Sequence, residues 1–267
     1  MIKESRVSKT LRARELGVSR QSLYYKRKQP EKDWQLKCQI EKMLRDHPSY
    51  GSPRVAIALG RNKKPIERVM RLFGIKARRR RGRRWRKAKK TKVIYSNLLM
   101  TDIPSHENHI WVSDFTHWDF QGKKVYMATV MDLFTRKIVG VSVYTTHAVQ
   151  LVLSSLFSAL NKNSRPKVFH SDNGSEYNSG VFVEALETLD ILISRSNPGC
   201  PWENGYQESF YSQFKVDMGD PTRFKNLGEF VYEIYHQVYV YNNTRIHTAL
   251  KMSPVEFAEI SKEKYDI

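Results

Sequence analysis

The sequence predicts an α/β fold in which a mixed five-stranded sheet is flanked by helices and preceded by a small all-α region of helix-turn-helix type. Three runs of alternating apolar and polar side chains lie within residues 110–144, which is the pattern of a three-stranded meander. Helical and strand patterns then alternate from residue 148 to residue 215, which is typical of a mixed sheet covered on both faces. Residues 1–100 instead combine short helical patterns with most of the positive charge.

Charge is distributed unevenly along the 267-residue chain. Residues 1–100 carry 31 Lys and Arg against 7 Asp and Glu, a net charge of +24, whereas residues 101–267 carry 15 against 20, a net charge of −5. This asymmetry indicates a nucleic-acid-binding front half and an acidic back half. We predict a helix-turn-helix DNA-binding region at 1–75 with modules at about 1–30 and 31–75, a basic linker at 76–104, and a core with C-terminal helices at 105–267.

The first thirty residues show a helix-turn-helix pattern. Residues 11–16 predict a short helix that stops at Gly17, and residues 18–25 predict a second helix with Ser19 as its N-cap. The second helix of such a motif enters the major groove of DNA, so we expect Arg20 and Gln21 to contact DNA. An ordinary helical hairpin on a basic surface is the alternative.

The next part of the front half predicts three helices. The first covers residues 31–45, and the second begins at Pro53 with Ser52 as its N-cap. The third begins at Pro65 and is closed by Gly74. The apolar positions of the first helix are Trp34, Ile40, Met43 and Leu44, and those of the third are Ile66, Val69, Met70 and Phe73.

The second and third of these helices form another helix-turn-helix candidate. Their apolar stripe is better explained as core than as a binding surface, because its spacing is that of one buried helix face. The basic side chains around it are the candidates for DNA contact. They are Arg54, Lys63 and Lys64.

The chain from residue 76 to residue 92 carries one sign of charge. Twelve of these seventeen residues are Lys or Arg and none is acidic. Such a block cannot offset the cost of its own folding, so we predict an extended linker that neutralises several phosphates when it meets a duplex. A solvated surface run is the alternative. The candidates for DNA contact here are Arg78, Arg79, Arg80, Arg81, Arg83, Arg84 and Arg86.

The elements of the back half follow from its periodicity. Residues 110–120 and 124–131 predict two strands joined by a hairpin turn at Gln121-Gly122. The order of elements that follows agrees with a sheet that begins as a meander and continues through helical crossovers. The later elements are predicted as a strand at 138–144, a helix at 148–160, a strand at 168–172, a helix at 181–189, a strand at 191–194 and a helix at 203–215.

Three carboxylates in this half predict metal-dependent chemistry. Asp114 lies within the first predicted strand, Asp172 ends the fourth strand directly before a turn-forming Asn-Gly pair, and Glu208 lies on the last helix. Oxygen ligands of this kind suit Mg²⁺, and two such ions can activate the attacking oxygen and stabilise the leaving oxygen of a phosphoryl transfer. Three close carboxylates would raise one another's pKa, so a metal ion is the natural partner of such a cluster.

Each carboxylate taken alone also fits a surface charge or a cap. The nearby competitors for ligand roles are Asp119, Asp132, Glu176 and Glu203. Helical spacing places four polar side chains along one face of the last helix. They are Asn204, Glu208, Tyr211 and Lys215.

The order and spacing of these motifs resemble a known family. Thirty-five residues separate Asp172 from Glu208, as in the acidic triad of the DDE transposases and retroviral integrases, and Lys215 follows Glu208 by seven positions. From about residue 50 to residue 257 the chain resembles the transposase encoded by the second reading frame of the insertion sequence three family. Three further segments match, namely HSDNGSEY at 170–177, YNNTRIH at 241–247 and SPVEF at 253–257.

The resemblance implies a ribonuclease H-like integrase catalytic core in which the first and fourth strands are neighbours, so that Asp114 lies beside Asp172. It implies that Asp114, Asp172 and Glu208 are catalytic and bind two Mg²⁺ ions, for which Mn²⁺ would substitute. The implied function is that of a DNA transposase, which binds the terminal inverted repeats of an insertion sequence, cleaves a DNA strand and transfers its 3′-hydroxyl end during DNA integration and recombination.

Further side chains near the triad are candidates for supporting roles. Lys215 is expected at a DNA phosphate, and an exposed ion pair of little consequence is the alternative. Asn204 and His170 are expected to orient the carboxylates, and a buried, satisfied side chain is the alternative for each. Tyr241, Asn242, Arg245 and His247 match the closing motif of the family, where the residues alone suggest packing or DNA contact.

The expected partners are double-stranded DNA, as terminal inverted repeats and as target, and further copies of the chain in a homodimer or larger assembly on paired DNA ends. The product of an upstream reading frame is a possible partner or fusion. Two other functions fit part of the sequence: a non-catalytic DNA-binding regulator derived from a transposase, and a ribonuclease H-like nuclease. The sequence has no apolar stretch near the roughly 18–20 residues of a membrane span, so we expect a cytoplasmic, bacterial, nucleoid-associated protein.

Overall fold

The computed structural model describes residues 8–21, 29–79, 95–197 and 200–265. The second half of the predicted helix at 18–25 lies outside the described residues, and Arg20 and Gln21 lie in a short 3₁₀ turn at the edge of that gap. The linker positions Arg80, Arg81, Arg83, Arg84 and Arg86 also lie outside the described residues.

The described front half contains the helices α1 (Lys9–Glu15), α2 (Gln29–Asp46), α3 (Ser52–Ala58) and α4 (Lys63–Leu72). The last three pack around an apolar core in which Ile40, Val55 and Ile66 are fully buried. Gly74 closes α4 as predicted, with φ at 65°, and the N–H of Ile75 donates back into the last turn of the helix. These helices therefore have a hydrophobic core of their own.

The observed starts of α3 and α4 differ from the predicted ones by one and two residues. α4 begins at Lys63 and not at Pro65, because proline fits anywhere in a first turn, where backbone N–H groups have no partner within the helix. Gly51 takes the N-cap position of α3, and Ser52 is its first residue. The Ser52 hydroxyl instead donates to Glu67 Oε1 at 3.3 Å and so ties α3 to α4.

Trp34 was predicted among the apolar positions of α2, but its side chain is 56% exposed. Leu36 takes the buried place instead. The Trp34 ring lies edge-on to Phe73 and carries the ammonium of Lys37 at 4.4 Å from its centroid. Trp34 therefore covers the rim of this core.

Five strands form one sheet: β1 (Ile110–Phe120), β2 (Lys123–Asp132), β3 (Ile138–Tyr144), β4 (Val168–Ser171) and β5 (Leu192–Arg195). The order is β3-β2-β1-β4-β5, with the first three strands antiparallel and β4 and β5 parallel to β1. Gln121 and Gly122 both have positive φ, at 46° and 77°, which is the geometry of a tight two-residue hairpin turn. The predicted mixed five-stranded sheet is confirmed, and its order is that of the ribonuclease H-like fold.

Helices cover both faces of this sheet. On one face Trp111 and Phe169 pack under the first two helices of the back half, and on the other Ile110, Val112 and Val168 pack under the next two. Neighbouring residues of one strand thus face opposite layers, as the pleat requires. The helices are α5 (Val149–Leu160), α6 (Gly180–Thr188), α7 (Gly205–Met218), α8 (Leu227–Asn243) and α9 (Pro254–Tyr265), which packs against α8.

Close contact between β3 and α5 depends on Gly140. A Cβ atom there would lie 2.8 Å from the Cβ of Ala159 and would also collide with the carbonyl oxygen of Ser155. Glycine therefore lets α5 approach the sheet at this point.

The helix that carries Glu208 begins later than predicted. A 3₁₀ turn (Pro201–Asn204) precedes α7, which starts at Gly205 and continues to Met218. Asn204 is consequently the N-cap residue of α7 and not part of its first exposed face. Tighter 3₁₀ turns at a helix terminus are common, and sequence periodicity does not distinguish them from a full helical turn.

The closing motif at 241–247 fastens three parts of the molecule together. The Asn242 side chain exchanges two hydrogen bonds with the backbone of Ile138, both of 2.9 Å. Arg245 Nε lies 3.1 Å from Asp217 Oδ2, and Arg245 also donates to Ser49 Oγ at 2.6 Å. The motif therefore joins the end of α8 to β3, to α7 and to the front helices. Within the described part of the chain, no helix has both the length and the apolar content to span a bilayer.

Candidate active site

Two of the predicted catalytic carboxylates lie side by side on neighbouring strands. β1 and β4 pair in parallel from Ile110 opposite Val168 to Val112 opposite His170. The same offset continues to Asp114 and Asp172, at the end of β4. Asp114 follows Ile110 and Val112 at two-residue spacing, and Asp172 follows Val168 at four, so both carboxylates lie on the side of the sheet that faces α7.

A backbone N–H group holds each of these two aspartates. The Phe115 N–H donates to Asp114 Oδ1 at 2.8 Å, and the Gly174 N–H donates to Asp172 Oδ1 at 3.0 Å. A Cβ at position 174 would lie 3.0 Å from the same Asp172 oxygen, so the turn leaves little room for a side chain. Since the described residues donate no hydrogen bond to the second oxygen of either carboxylate, that oxygen is available to a ligand.

Helix α7 is attached to β1 by polar side chains on either side of Glu208. Gln207 Nε2 donates to the carbonyl of Val112 at 2.8 Å, and the Tyr211 hydroxyl donates to the carbonyl of Asp114 at 2.5 Å. Glu208 lies in the first turn of α7 with an exposed side chain. The two inward hydrogen bonds therefore hold the backbone of Glu208 above β1 and leave its carboxylate movable.

Electrostatics in this region disfavour the ionised carboxylates. Burial, followed by the charge of Asp172, raises the pKa of Asp114 to about 8, against opposing effects of the Phe115 N–H and of Lys215. Burial also raises the pKa of Asp172 and the pKa of Glu208. Nearby cations offset these effects only in part, so a bound cation would stabilise the ionised carboxylates.

The three carboxylates do not yet form a closed metal-binding set. Among the described residues, no three side chains of His, Cys, Asp or Glu converge closely enough to hold a metal ion. Asp114 and Asp172 are partly buried and fixed by their backbone donors, whereas Glu208 is exposed. The candidate site thus consists of two fixed carboxylates and one carboxylate on a rotatable side chain.

Lys215 lies beside the acidic residues. Its ammonium donates to the carbonyl of His117 at 2.6 Å and lies 4.8 Å from the ring centroid of Trp118. Its charge lowers the pKa of Asp114. Lys215 is therefore positioned near the middle of β1, within electrostatic reach of the site.

The two residues predicted to orient the carboxylates differ in placement. Asn204 is buried and its side-chain amide approaches the carbonyl of Ser113 at 3.5 Å, the long limit for a hydrogen bond. His170 pairs with Ser194 Oγ at 2.8 Å and not with a carboxylate. Burial, followed by the charge of Arg195, lowers the pKa of His170 to about 4, so its ring is neutral. Asn204 thus contacts β1 at the residue before Asp114, whereas His170 contacts β5.

The competing acids are occupied elsewhere. Asp132 and Glu203 accept hydrogen bonds from neighbouring loops, and Asp119 is exposed on β1. Glu176 lies near Asp172 and raises its pKa, but its own carboxylate pairs with His147 at 2.8 Å. Burial is the largest single influence and opposes ionisation of Glu176, but the hydrogen bonds from His147, the backbone and Ser175 together hold the pKa of Glu176 below its usual value.

Sequence reasoning missed Gln207 and Arg195 and found no role for Tyr211. Gln207 and Tyr211 stand four residues apart on the buried stripe of α7, so the available signal was a pair of polar side chains among phenylalanines. Arg195 is fully buried, donates to the carbonyl of Tyr177 at 2.7 Å and lowers the pKa of Asp172. A lone arginine at the end of a short strand gave no such signal.

The predicted DNA contacts are distributed over separate surfaces. Lys63 forms an ion pair with Glu67 at 3.0 Å on α4. Arg54 is partly buried with its guanidinium 5.8 Å from the ring of Tyr50, and Arg78 and Arg79 line a cavity together with it. The exposed candidates among the described residues are Arg20, Gln21, Lys63, Lys64, Arg78 and Arg79.

The chain is similar in sequence to several known proteins. The family described as Integrase core domain matches residues 104–201, and a second family of the same description matches residues 189–254. A transposase for insertion sequence element IS904 of Lactococcus lactis is 28% identical over 239 residues, which are 85% of this chain and 92% of the relative. Transposase InsF for insertion sequence IS3A of Escherichia coli is 30% identical over 189 residues, 65% of this chain and 63% of the relative. Among solved structures, the HTLV-2 integrase catalytic core domain in complex with magnesium is 20% identical with a TM-score of 0.44, covering 57% of this chain and 97% of that domain.

Proposed function

Because the chain belongs to the insertion sequence three family of DDE transposases, we propose that Asp114, Asp172 and Glu208 are the catalytic residues of this DNA transposase. The observation that best supports this assignment is the position of Asp114 and Asp172 on adjacent parallel strands, beneath the helix that carries Glu208. The enzyme is a polynucleotidyl transferase with an integrase core.

The side chains present fit a divalent metal. Carboxylate oxygens are the hard donors that Mg²⁺ prefers, and burial followed by the charge of Asp172 raises the pKa of Asp114, an effect that a bound cation would oppose. Glu208 can turn towards the two aspartates at little cost, because an exposed side chain has several accessible rotamers. We propose two Mg²⁺ ions, with Mn²⁺ as a substitute. When bound, such ions activate the attacking oxygen and stabilise the leaving oxygen.

Residues of the chain position the reacting groups. Gln207 and Tyr211 hold α7 on β1, which keeps Glu208 above Asp114. The backbone donors to Asp114 and Asp172 engage one oxygen of each and leave the other without a hydrogen bond from the described residues. Lys215 supplies a point charge for a DNA phosphate at the side of the site.

Two successive transfers can then occur at one site. In the first, the oxygen of water bonds to the phosphorus at the end of the element, and the bridging oxygen leaves as a 3′-hydroxyl. In the second, that hydroxyl oxygen bonds to a phosphorus of the target, and a bridging oxygen leaves. Each step exchanges one P–O bond for another, so positioning and charge compensation suffice and no covalent protein intermediate is required.

The substrate and assembly follow from this reaction. We propose that the front helices and basic linker bind the terminal inverted repeats while the core acts on their ends. Joining two ends requires two sites, so we propose a homodimer or larger assembly, with the product of an upstream reading frame as a further partner or fusion. Nucleoid association would follow from DNA binding. A regulator without catalysis would not need the triad, and a ribonuclease H-like nuclease would not need the basic front half.

The proposal is tested with purified protein, Mg²⁺ and a labelled duplex that carries an inverted repeat found beside the gene. We expect strands cut or joined at the repeat tip, and a loss of about 10³-fold or more in Asp114→Asn, Asp172→Asn and Glu208→Gln with duplex affinity unchanged. Asp190→Asn is the matched control, because Asp190 is exposed at a positive φ of 50° that asparagine tolerates. Loss of duplex binding together with cleavage would contradict the catalytic assignment.

A further inference from the structure

A basic cavity lies between the front helices and the core. It encloses about 450 Å³ along α7, with Ser209 and Gln213 on that side. Three arginines line it from distant parts of the chain: Arg54 on α3, Arg136 between β2 and β3, and Arg245 after α8. We call Arg54, Arg136 and Arg245 the arginine cluster.

Positive charge in this cavity exceeds negative charge. The described lining residues include no acid, and the buried ion pair with Asp217 balances only one of the three arginines. Burial, followed by the charge of Arg245, lowers the pKa of Arg54 to about 10. The imidazole of His247, which also lines the cavity, has its pKa lowered to about 4 by burial and then by Arg136. His247 is therefore neutral and adds no charge to the cluster.

Two arginines of the cluster keep unused hydrogen-bond donors. Arg54 Nε and Arg136 Nη1 are buried and have no hydrogen-bond partner among the described residues. Arg245 differs, because it donates to Asp217, Ser49 and Gln213. A buried guanidinium N–H without an acceptor is costly, so an acceptor in the cavity would be bound favourably.

Arg136 is held in place despite a strained backbone. Its φ is 62°, in the left-handed region that arginine seldom occupies. Its guanidinium lies 4.2 Å from the ring centroid of Tyr206 on α7, a cation–π contact that fixes the direction of the side chain. The hydroxyl of Tyr241 donates to the carbonyl of Arg136 at 3.1 Å. These contacts orient a cationic fork towards the cavity.

A second basic cavity continues this surface along α7. It encloses about 370 Å³, shares Arg54, Gln213 and Thr248 with the first, and adds Arg78 and Arg79. No described residue that lines it is acidic. A row of cations along one path matches the regular charges of a polyanion better than a single small anion.

We propose that the arginine cluster binds a backbone phosphate of the DNA, with Arg54 and Arg136 as the donors and the second cavity as the path of the same strand. Guanidinium forks match phosphate oxygens in charge and geometry. The proposal rests on the function proposed above, and it deepens that function by making the front helices and the core share one phosphate site. The strand then runs along α7, the helix that carries Glu208.

The experiment measures duplex binding in metal-free buffer over a range of salt concentrations, so its outcome does not depend on cleavage. Arg136→Asn is the main variant, because asparagine tolerates the positive φ and the variant should fold, and Arg54→Gln is the second. Each is expected to lower affinity about tenfold and to reduce the slope of log affinity against log salt by about 0.9, the value for one phosphate contact. Arg165→Asn, which removes an exposed arginine of the core, is the control and should leave the slope unchanged.

Three results would overturn the proposal. Unchanged slopes in both Arg136→Asn and Arg54→Gln would exclude a DNA phosphate at the cluster. An equal change in Arg165→Asn would show an effect of net charge alone. Inorganic phosphate that raises the unfolding temperature of the wild type but not of Arg136→Asn, together with unchanged DNA slopes, would assign the site to a free anion. A wild-type protein that binds DNA with the expected slopes but never cleaves it would instead contradict the proposed function and leave the phosphate site standing.

Discussion

Helix α7 separates two clusters of like charge. On one side lie Asp114 and Asp172 with Glu208, and on the other lies the arginine cluster of Arg54, Arg136 and Arg245. Both clusters carry shifted pKa values whose first cause is burial. Grouping like charges costs stability, so each cluster is better explained by a ligand of opposite charge than by a role in folding.

The two clusters are built differently. The acidic side uses neighbouring strands of one sheet, and its aspartates are fixed by backbone N–H groups. The arginine side depends on the docking of the front helices, and one buried ion pair between Arg245 and Asp217 anchors it. The acidic side should therefore survive changes at the domain interface, whereas the arginine side should not.

Removing the anchor of the arginine side is expected to have the largest effect on folding. Arg245→Ala leaves the carboxylate of Asp217 buried without its partner, which costs about 3–5 kcal/mol of unfolding free energy. Chemical denaturation of the full chain measures this loss. Adding Asp217→Asn to the same variant should recover part of it, since the orphaned charge is then gone.

Arg223→Ala is the matched control for this comparison. Arg223 is 51% exposed and pairs with Glu233 at 3.3 Å, so its removal should cost at most about 1 kcal/mol. If Arg245→Ala costs no more than Arg223→Ala, the buried pair is not the anchor of the interface.

Asp114→Asn should have a smaller and opposite effect in metal-free protein. The folded-state pKa of about 8 lies above the ordinary value of 3.8, so the folded state holds a proton that the unfolded state has lost between these values. Wild-type stability therefore falls as pH rises from about 4 to 8, and it stays low above 8. The variant lacks this loss and should be more stable than the wild type at about pH 9, with little difference at about pH 4.

The same denaturation series distinguishes a metal site from a buried carboxylate that binds no metal. Added Mg²⁺ should stabilise the wild type at about pH 8 and should stabilise Asp114→Asn much less. Asp190→Asn should respond to pH and Mg²⁺ like the wild type, because Asp190 is exposed. Equal stabilisation of all three proteins by Mg²⁺ would argue against binding at the acidic side.

The contrast between the clusters also explains what the sequence could predict. Strands at 110–120 and 138–144 have their predicted bounds, because alternation and the Gln121-Gly122 turn are local signals. The adjacency of the first and fourth strands followed from the resemblance, and the observed pairing agrees. The acidic side could therefore be predicted, because its strands and the spacing of its carboxylates lie within one continuous region of the sequence.

The arginine side could not be predicted in the same way. Arg54, Arg136 and Arg245 come from three distant segments, and only the docking of α3 against α7 and the end of α8 brings them together. The motif around Arg245 was recognisable, but its contacts with Ser49 and Asp217 depend on tertiary structure. Likewise, Gln207 was predicted on a helix, but its hydrogen bond to β1 depends on how that helix is placed.

The smallest expected effect concerns Lys215, a cation on the acidic side. Its charge is the last of the named influences on Asp114 and lowers the pKa of that carboxyl, so Lys215→Gln should raise it. Wild-type stability, compared with that of Asp114→Asn, stops falling near the pKa of Asp114. In Lys215→Gln the fall should continue to a higher pH, whereas in Lys215→Arg it should stop at the wild-type pH. No shift in Lys215→Gln would show that Lys215 does not act on Asp114 through its charge. This stability measurement uses neither DNA nor metal, so it is independent of the cleavage assay. If Lys215→Gln loses DNA cleavage but shows no pH shift, the ammonium acts on the DNA phosphate and not on Asp114.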